Sequence, residues 1–167
     1  MKNINKKGFT FIEILVVLGM IGLILVAVVG ALSGTFKAQT RVDLSDKVVQ
    51  NGNWALEQIK RSVLNADGKS IVCDVGGSSV TFNNASDGNS TTIVCVNNKI
   101  ASESSNRADL TSLEVLVTGC SGFVTCSPVG SNAVNSLSFN FNLAIGDTDS
   151  ETNFFSKEFD SSITVRN

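Results

Sequence analysis

The chain has no histidine and no tyrosine, a single proline (Pro128), a single tryptophan (Trp54) and ten phenylalanines. Without histidine there is no Ser-His-Asp or Cys-His nucleophile system and no His-ligated zinc site. An enzyme would have to work with carboxylates, lysine or thiols alone, and no arrangement of these reads as a catalytic site or implies a cofactor. A basic cluster is missing as well. Net charge is −2, and the first eight residues hold Lys2, Lys6 and Lys7, so the remainder carries ten bases against fifteen acids, a balance of −5. That mildly acidic exterior argues against direct nucleic-acid binding by one subunit.

What is present begins with a long apolar run. Residues 14–32, ILVVLGMIGLILVAVVGAL, are nineteen positions without a charged or strongly polar side chain. As a helix they would span roughly 28 Å, close to the hydrocarbon core of a bilayer. A helix buried in a soluble core usually keeps a polar stripe, and this one has none. Three lysines precede it; Lys37 and Arg41 follow and are soon offset by Asp43 and Asp46. The positive-inside rule therefore keeps the N-terminus cytoplasmic and exports the body. A secretory signal peptide would have a shorter apolar stretch ending in a small-x-small site, whereas here the run continues into a patterned helix. About 135 residues remain for an exported part, enough to bury a core.

Glu13 stands one step before the run. A carboxylate drawn into the membrane costs on the order of 2.5–3.5 kcal/mol on insertion scales, so it needs a partner. The string KKGFTFIEILVVLGMIG resembles the cleavage and methylation motif of type IV prepilins and type II secretion pseudopilins. It joins a short basic leader, a glycine, a phenylalanine, a glutamate at fixed spacing and an apolar helix. The resemblance covers about the first thirty residues. It implies cleavage between Gly8 and Phe9 by a prepilin peptidase, N-methylation of Phe9, and pairing of Glu13 with the α-amino group of Phe9 in a neighbouring subunit. Amine and acid sit within little more than one helical turn of each other, and a charged pair in low dielectric relieves both desolvation penalties if its geometry is good. Glu13 would then set the axial register between apolar helices that could otherwise slide. The family's helix often carries a proline; here Gly30 and Gly34 are the nearest substitutes. Gly19 and Gly22 suit either close helix packing or flexibility.

Beyond the run, Val42, Val49, Leu56, Ile59 and Val63 recur at helical spacing, with Gly52 and Ala66 on the same stripe. The exposed side carries the acid-first pairs Asp43/Lys47 and Glu57/Arg61. The spacing predicts one helix from Phe9 to Ala66, capped by Gly68, with Trp54 packed at its junction with a sheet. Short strands are expected over 70–75, 79–82, 91–96, 113–117, 137–143 and 161–165. Turn signals separate them, among them Gly76 with Gly77, Asn97 with Asn98, and Gly146 with Asp147. The expected fold is α+β: a long N-terminal helix against an antiparallel sheet, as the pilin resemblance also implies. The segments are a leader at 1–8, a membrane and filament-core helix at 9–34, an amphipathic helix at 35–68 and a β-rich exported domain at 69–167.

Cys73, Cys95, Cys120 and Cys126 all fall in the exported part, where oxidation is permitted, and three connectivities are possible. Cys73–Cys95, clamping two strands, and Cys120–Cys126, closing a small loop around SGFVT, are the favoured pairs. A zinc site is disfavoured because the spacings are not CxxC pairs. Asp147, Asp149 and Glu151 alternate like part of a calcium loop but lack the terminal bidentate glutamate spacing. The expected function is a structural subunit of a type IV pilus or type II secretion-like filament. Its partners would be other pilin or pseudopilin subunits, the prepilin peptidase, the inner-membrane assembly platform and membrane lipid. It would first be a single-pass inner-membrane protein, then part of a surface or periplasmic filament. The alternative is a single-span exported binding protein, an adhesin or DNA-uptake receptor, that does not polymerise.

Overall fold

The computed structural model describes residues 10–128, 134–148 and 153–165. The chain divides into two compact units after Thr40. Helix α1, Phe11–Leu64, runs through that division. In the first unit none of the described helix residues is buried. In the second it gives one face to a β-rich body, so the α+β class expected from the sequence is the class observed.

In the second unit, Val48, Gly52, Ala55, Ile59 and Val63 are buried. Their spacing of three and four residues is the period of one helical face. The expected stripe was rotated slightly from this one: Val49 and Leu56 are half-buried, and Val42 is exposed. Trp54 is exposed rather than packed, because it lies off the buried face. The helix ends at Leu64, two residues before the expected stop, and not on a left-handed glycine. Its last turn tightens through a bond from Ala66 N to the Val63 carbonyl. Asp67 then caps a 3₁₀ turn, Gly68–Ser70, its side chain accepting from Lys69 N at 3.1 Å. Bonds from Asp67 N to Asn83 O and from Ala85 N to Asn65 O tie the helix end to a hairpin.

Among the described residues nine strands follow, in two antiparallel sheets rather than one. The first sheet has the order β1 (Val72–Cys73), β2 (Ser79–Asn83), β3 (Ser90–Val96), β4 (Lys99–Glu103), β5 (Arg107–Asp109). The second is built on β8 (Ser136–Gly146). One edge of β8 pairs with β7 (Val124–Ser127) and β6 (Leu116–Thr118); the other pairs with β9 (Phe154–Thr164). Strands β4, β5 and β7 were not expected. KIASE and RAD have no apolar alternation; β4 is set by the Asn97-Asn98 turn, where both residues take positive φ. The edge strand β5 is pinned by Lys99–Asp109 and Arg107–Glu103 ion pairs. Charge of this kind also blunts an exposed edge. β9 begins seven residues before the expected strand, since its centre, KEFD, shows only Phe159 to the core.

Four of the largest fully buried side chains are phenylalanines. Phe139 and Phe141 alternate along β8, with Phe123 at 5.5 and 6.0 Å between ring centroids, and Phe141 stacks on Phe159 at 5.6 Å. Each fully buried ring contributes roughly 1.5–3 kcal/mol. Two glycines make this packing possible. A Cβ on Gly52 would enter the Phe159 ring, so the helix comes this close to β9 only without a side chain there. Gly146, at φ +95°, turns β8 toward β9, and a Cβ on it would collide with the Asn153 carbonyl.

The disulfides differ from the favoured pairs. Cys73 bonds Cys126 and Cys95 bonds Cys120, with Cα separations of 6.4 and 5.3 Å. The reason is topological. Cys73 is on β1 and Cys95 on β3, with β2 between them, so a cross-strand bond is out of reach. The segment expected to be a Cys120–Cys126 loop instead contains β7. Both bonds therefore join the first sheet to the second or to the β6–β7 connection, as staples between layers.

Candidate assembly site

Residues 11–36 of α1 carry apolar side chains around the whole helix, and none of the described ones is buried. Phe11 is 79% and Leu23 is 76% exposed. The most apolar eighteen-residue window has a mean hydropathy of 3.0 and no buried share. A helix with no polar face cannot rest in water, and it is long and apolar enough to cross a membrane. Its hydroxyls are satisfied within the helix. Ser33 Oγ donates to Gly30 O at 2.9 Å, Thr35 Oγ1 to Ala31 O at 3.0 Å, and Thr40 Oγ1 to Phe36 O at 3.1 Å. Such back-bonding lets polar residues sit in apolar surroundings without an orphaned donor.

Glu13 is in the first helical turn, where its charge complements the helix dipole. The Thr10 carbonyl accepts from Glu13 N at 3.1 Å and Ile14 N at 3.4 Å, which starts the helix. The Glu13 stem, Ile14, Val17 and Leu18 line a shallow, open apolar depression on the helix. The site thus joins one acid to an apolar wall, suited to a cationic group that also carries apolar surface. At Gly19, Gly22, Gly30 and Gly34 no atom of the described residues outside the helix's own backbone lies within 4 Å of where a Cβ would stand. Gly8 and Phe9, the expected cleavage and methylation positions, lie outside the described residues.

The remaining site expectations resolve unevenly. All four cysteines are in disulfides, paired as given above. Asp147 follows Gly146 in the β8–β9 connection, its N–H donating to Asn153 O at 3.2 Å; Asp149 and Glu151 lie outside the described residues. Among the described residues, no group of three or more metal-binding side chains comes together. On the body, Lys47 bridges Glu114 at 3.1 Å and Asp43 at 3.7 Å, and its ammonium is held above the usual lysine value, mainly by the Glu114 hydrogen bond. Trp54 and Leu113, both exposed, are surface features that apolar patterning assigned to packing and to a strand.

No curated protein and no solved structure matches the chain. A family model does: residues 3–29 match the prokaryotic N-terminal methylation motif. This is the cleavage and methylation motif of type IV pilins and pseudopilins, to which the N-terminal stretch of this chain is similar.

Proposed function

We propose that the chain is a structural, non-enzymatic subunit of a type IV pilus or type II secretion-like filament. It is held first in the inner membrane by one pass of α1, with residues 1–8 as a cytoplasmic leader. A prepilin peptidase cuts between Gly8 and Phe9, and Phe9 is N-methylated. The assembly platform then draws the subunit from lipid into a filament whose interior is built from residues 9–34. Residues 35–68 carry the amphipathic continuation, and 69–167 the exported body. One observation carries this reading: the methylation motif coincides with a helical stretch that is apolar on every side and, among the described residues, unburied.

Chemically, the cut exposes an α-ammonium that methylation leaves charged. In the apolar setting of packed helices that cation needs an anion, and Glu13 is the acid at that end of the helix. Ile14, Val17 and Leu18 would keep water from the pair only once neighbouring helices pack over them. Glu13 thereby selects one axial offset between neighbours. Mass spectrometry of the mature chain tests the proposal: a methylated N-terminal Phe9 is expected, while an intact Met1 or a cut beyond Leu32 would refute it. Glu13→Ala should be processed normally yet assemble poorly; normal assembly would remove the registry role.

A further inference from the structure

The β-rich body carries one motif that assembly through α1 does not use. In the connection from β2 to β3, Asp87-Gly88-Asn89-Ser90-Thr91 contains the tripeptide Asn-x-Thr, and Asn84-Ala85-Ser86 contains an Asn-x-Ser. An asparagine with a hydroxyl two residues on, and no proline between, is the acceptor pattern for N-linked oligosaccharide on a surface loop of an exported protein. The fold treats the two asparagines differently. Residues 85–90 are all exposed, Asn89 among them. Asn89 is held from one side by an acid: its backbone N donates to Asp87 Oδ1 at 3.1 Å and its Nδ2 to Asp87 Oδ2 at 2.8 Å. These bonds, the backbone one foremost, keep the Asp87 carboxyl below the usual aspartate value. Gly88 turns the tip at φ +69°, with nothing among the described residues within 4 Å of where its Cβ would stand. Asn84 is instead half-buried and engaged. Its N donates to Asn89 O and its carbonyl accepts from Gly88 N, both at 2.9 Å; it bridges to Ala66, and its Nδ2 reaches Thr91 Oγ1 at 3.4 Å.

We propose that Asn89 is an acceptor for an N-linked oligosaccharide, an inference that rests on the export of the body in the reading above. The sugar donor is an oligosaccharide on a lipid pyrophosphate, brought by a membrane transferase. A bond forms between Asn89 Nδ2 and the anomeric carbon while the bond from that carbon to the pyrophosphate oxygen breaks. The lipid pyrophosphate leaves with the electron pair, and the amide nitrogen gives one proton to a base of the transferase. Asp87 two residues before and Thr91 two residues after give the transferase an anchor on each side of the amide. Thr91 is only 6% exposed and lies opposite Phe82 in the β2–β3 ladder, so its hydroxyl is within reach before those strands pair. Transfer therefore precedes closure of the hairpin. Once the strands have closed, Asn89 stands at an exposed tip, where a bulky hydrated group displaces no core residue. A sugar on Asn84 Nδ2 would crowd Thr91 and the end of α1, which makes Asn84 the internal comparison.

The test uses the full-length chain and its variants, purified from the cells that make the protein. Thiol state is read first; the peptide Ser70–Lys99 is then released by trypsin after reduction and sequenced by mass spectrometry. A sugar mass is expected on Asn89, and Asn89→Gln should remove it completely. Thr91→Ala should remove it too, whereas Thr91→Ser should retain it, which separates the hydroxyl's part in transfer from the packing of a threonine. Asn84→Gln should leave the modification unchanged. Asp87→Asn should lower occupancy; unchanged occupancy would remove the carboxylate from the site. A chain with both disulfides formed and a bare Asn89, or with sugar on Asn84 or on a serine instead, would overturn the acceptor. A chain with four free thiols has not left the reducing side of the membrane, and that result would overturn the export reading itself.

Discussion

Gly22 and Gly52 sit in the same helix with the same backbone geometry, yet their surroundings are opposite. Around Gly22 nothing lies within 4 Å of where a side chain would begin; at Gly52 that space is taken by the Phe159 ring. The contrast extends to the stretches on either side of Thr40. In the first, apolar residues point in every direction and, among the described residues, none is buried. In the second, apolar residues follow a three-four spacing and five positions are buried. One helix therefore has two kinds of surface: one apolar all round and unburied among the described residues, the other with a single face against its own sheets. The first stretch is an unfinished surface that needs other molecules, and the second is a finished one.

Perturbations of the body should move folding and leave membrane insertion alone. The largest effect is expected from removing a staple between the sheets. Cys73→Ser with Cys126→Ser should cost about 2–5 kcal/mol in denaturant unfolding. Removing Cys73 and Cys95 together should cost more, because it breaks two bonds rather than one. If that variant behaves like a single-bond variant, the connectivity is wrong, and peptide mapping of the disulfides would show it directly.

The glycine pair gives the next largest effect and the sharpest contrast. Gly52→Ala should destabilise the body by about 1–3 kcal/mol, since the ring or the helix must shift. Gly22→Ala should leave body stability unchanged and favour the helix by up to about 1 kcal/mol. Equal effects at the two sites would erase the distinction between the stretches.

The smallest effect is electrostatic. Hydrogen bonds from Lys99 and then Arg107 hold the Asp109 carboxyl below the ordinary aspartate value. A group depressed in the folded state stabilises above its unfolded pKa and loses that contribution as pH falls through its folded value. Acid unfolding should therefore set in at slightly higher pH in the unaltered chain than in Asp109→Asn measured from its own baseline. Membrane retention through residues 11–36 should not respond.

Much of this was legible in local chemistry. The apolar run, Glu13 beside it and the leader before it required no fold to be read, because insertion and processing act on a short linear stretch. The strict alternation of Leu137, Phe139, Phe141 and Leu143 announced β8 for the same reason: a half-buried strand writes its two faces in a period of two. The Asn97-Asn98 turn was visible, but not the strand returning from it, since KIASE takes its place from backbone pairing with β3 and not from side-chain pattern.

By itself, then, the order of residues determined the helix, its wholly apolar stretch and the α+β class, all of which depend on neighbours within a turn or two. Only the tertiary structure decided which cysteines meet, that Gly52 exists to receive Phe159, and that Trp54 faces outward. Those outcomes turn on which strands lie between others and which helix face meets the sheets. They are distances through space between residues as far apart as Cys73 and Cys126, and no local pattern encodes them.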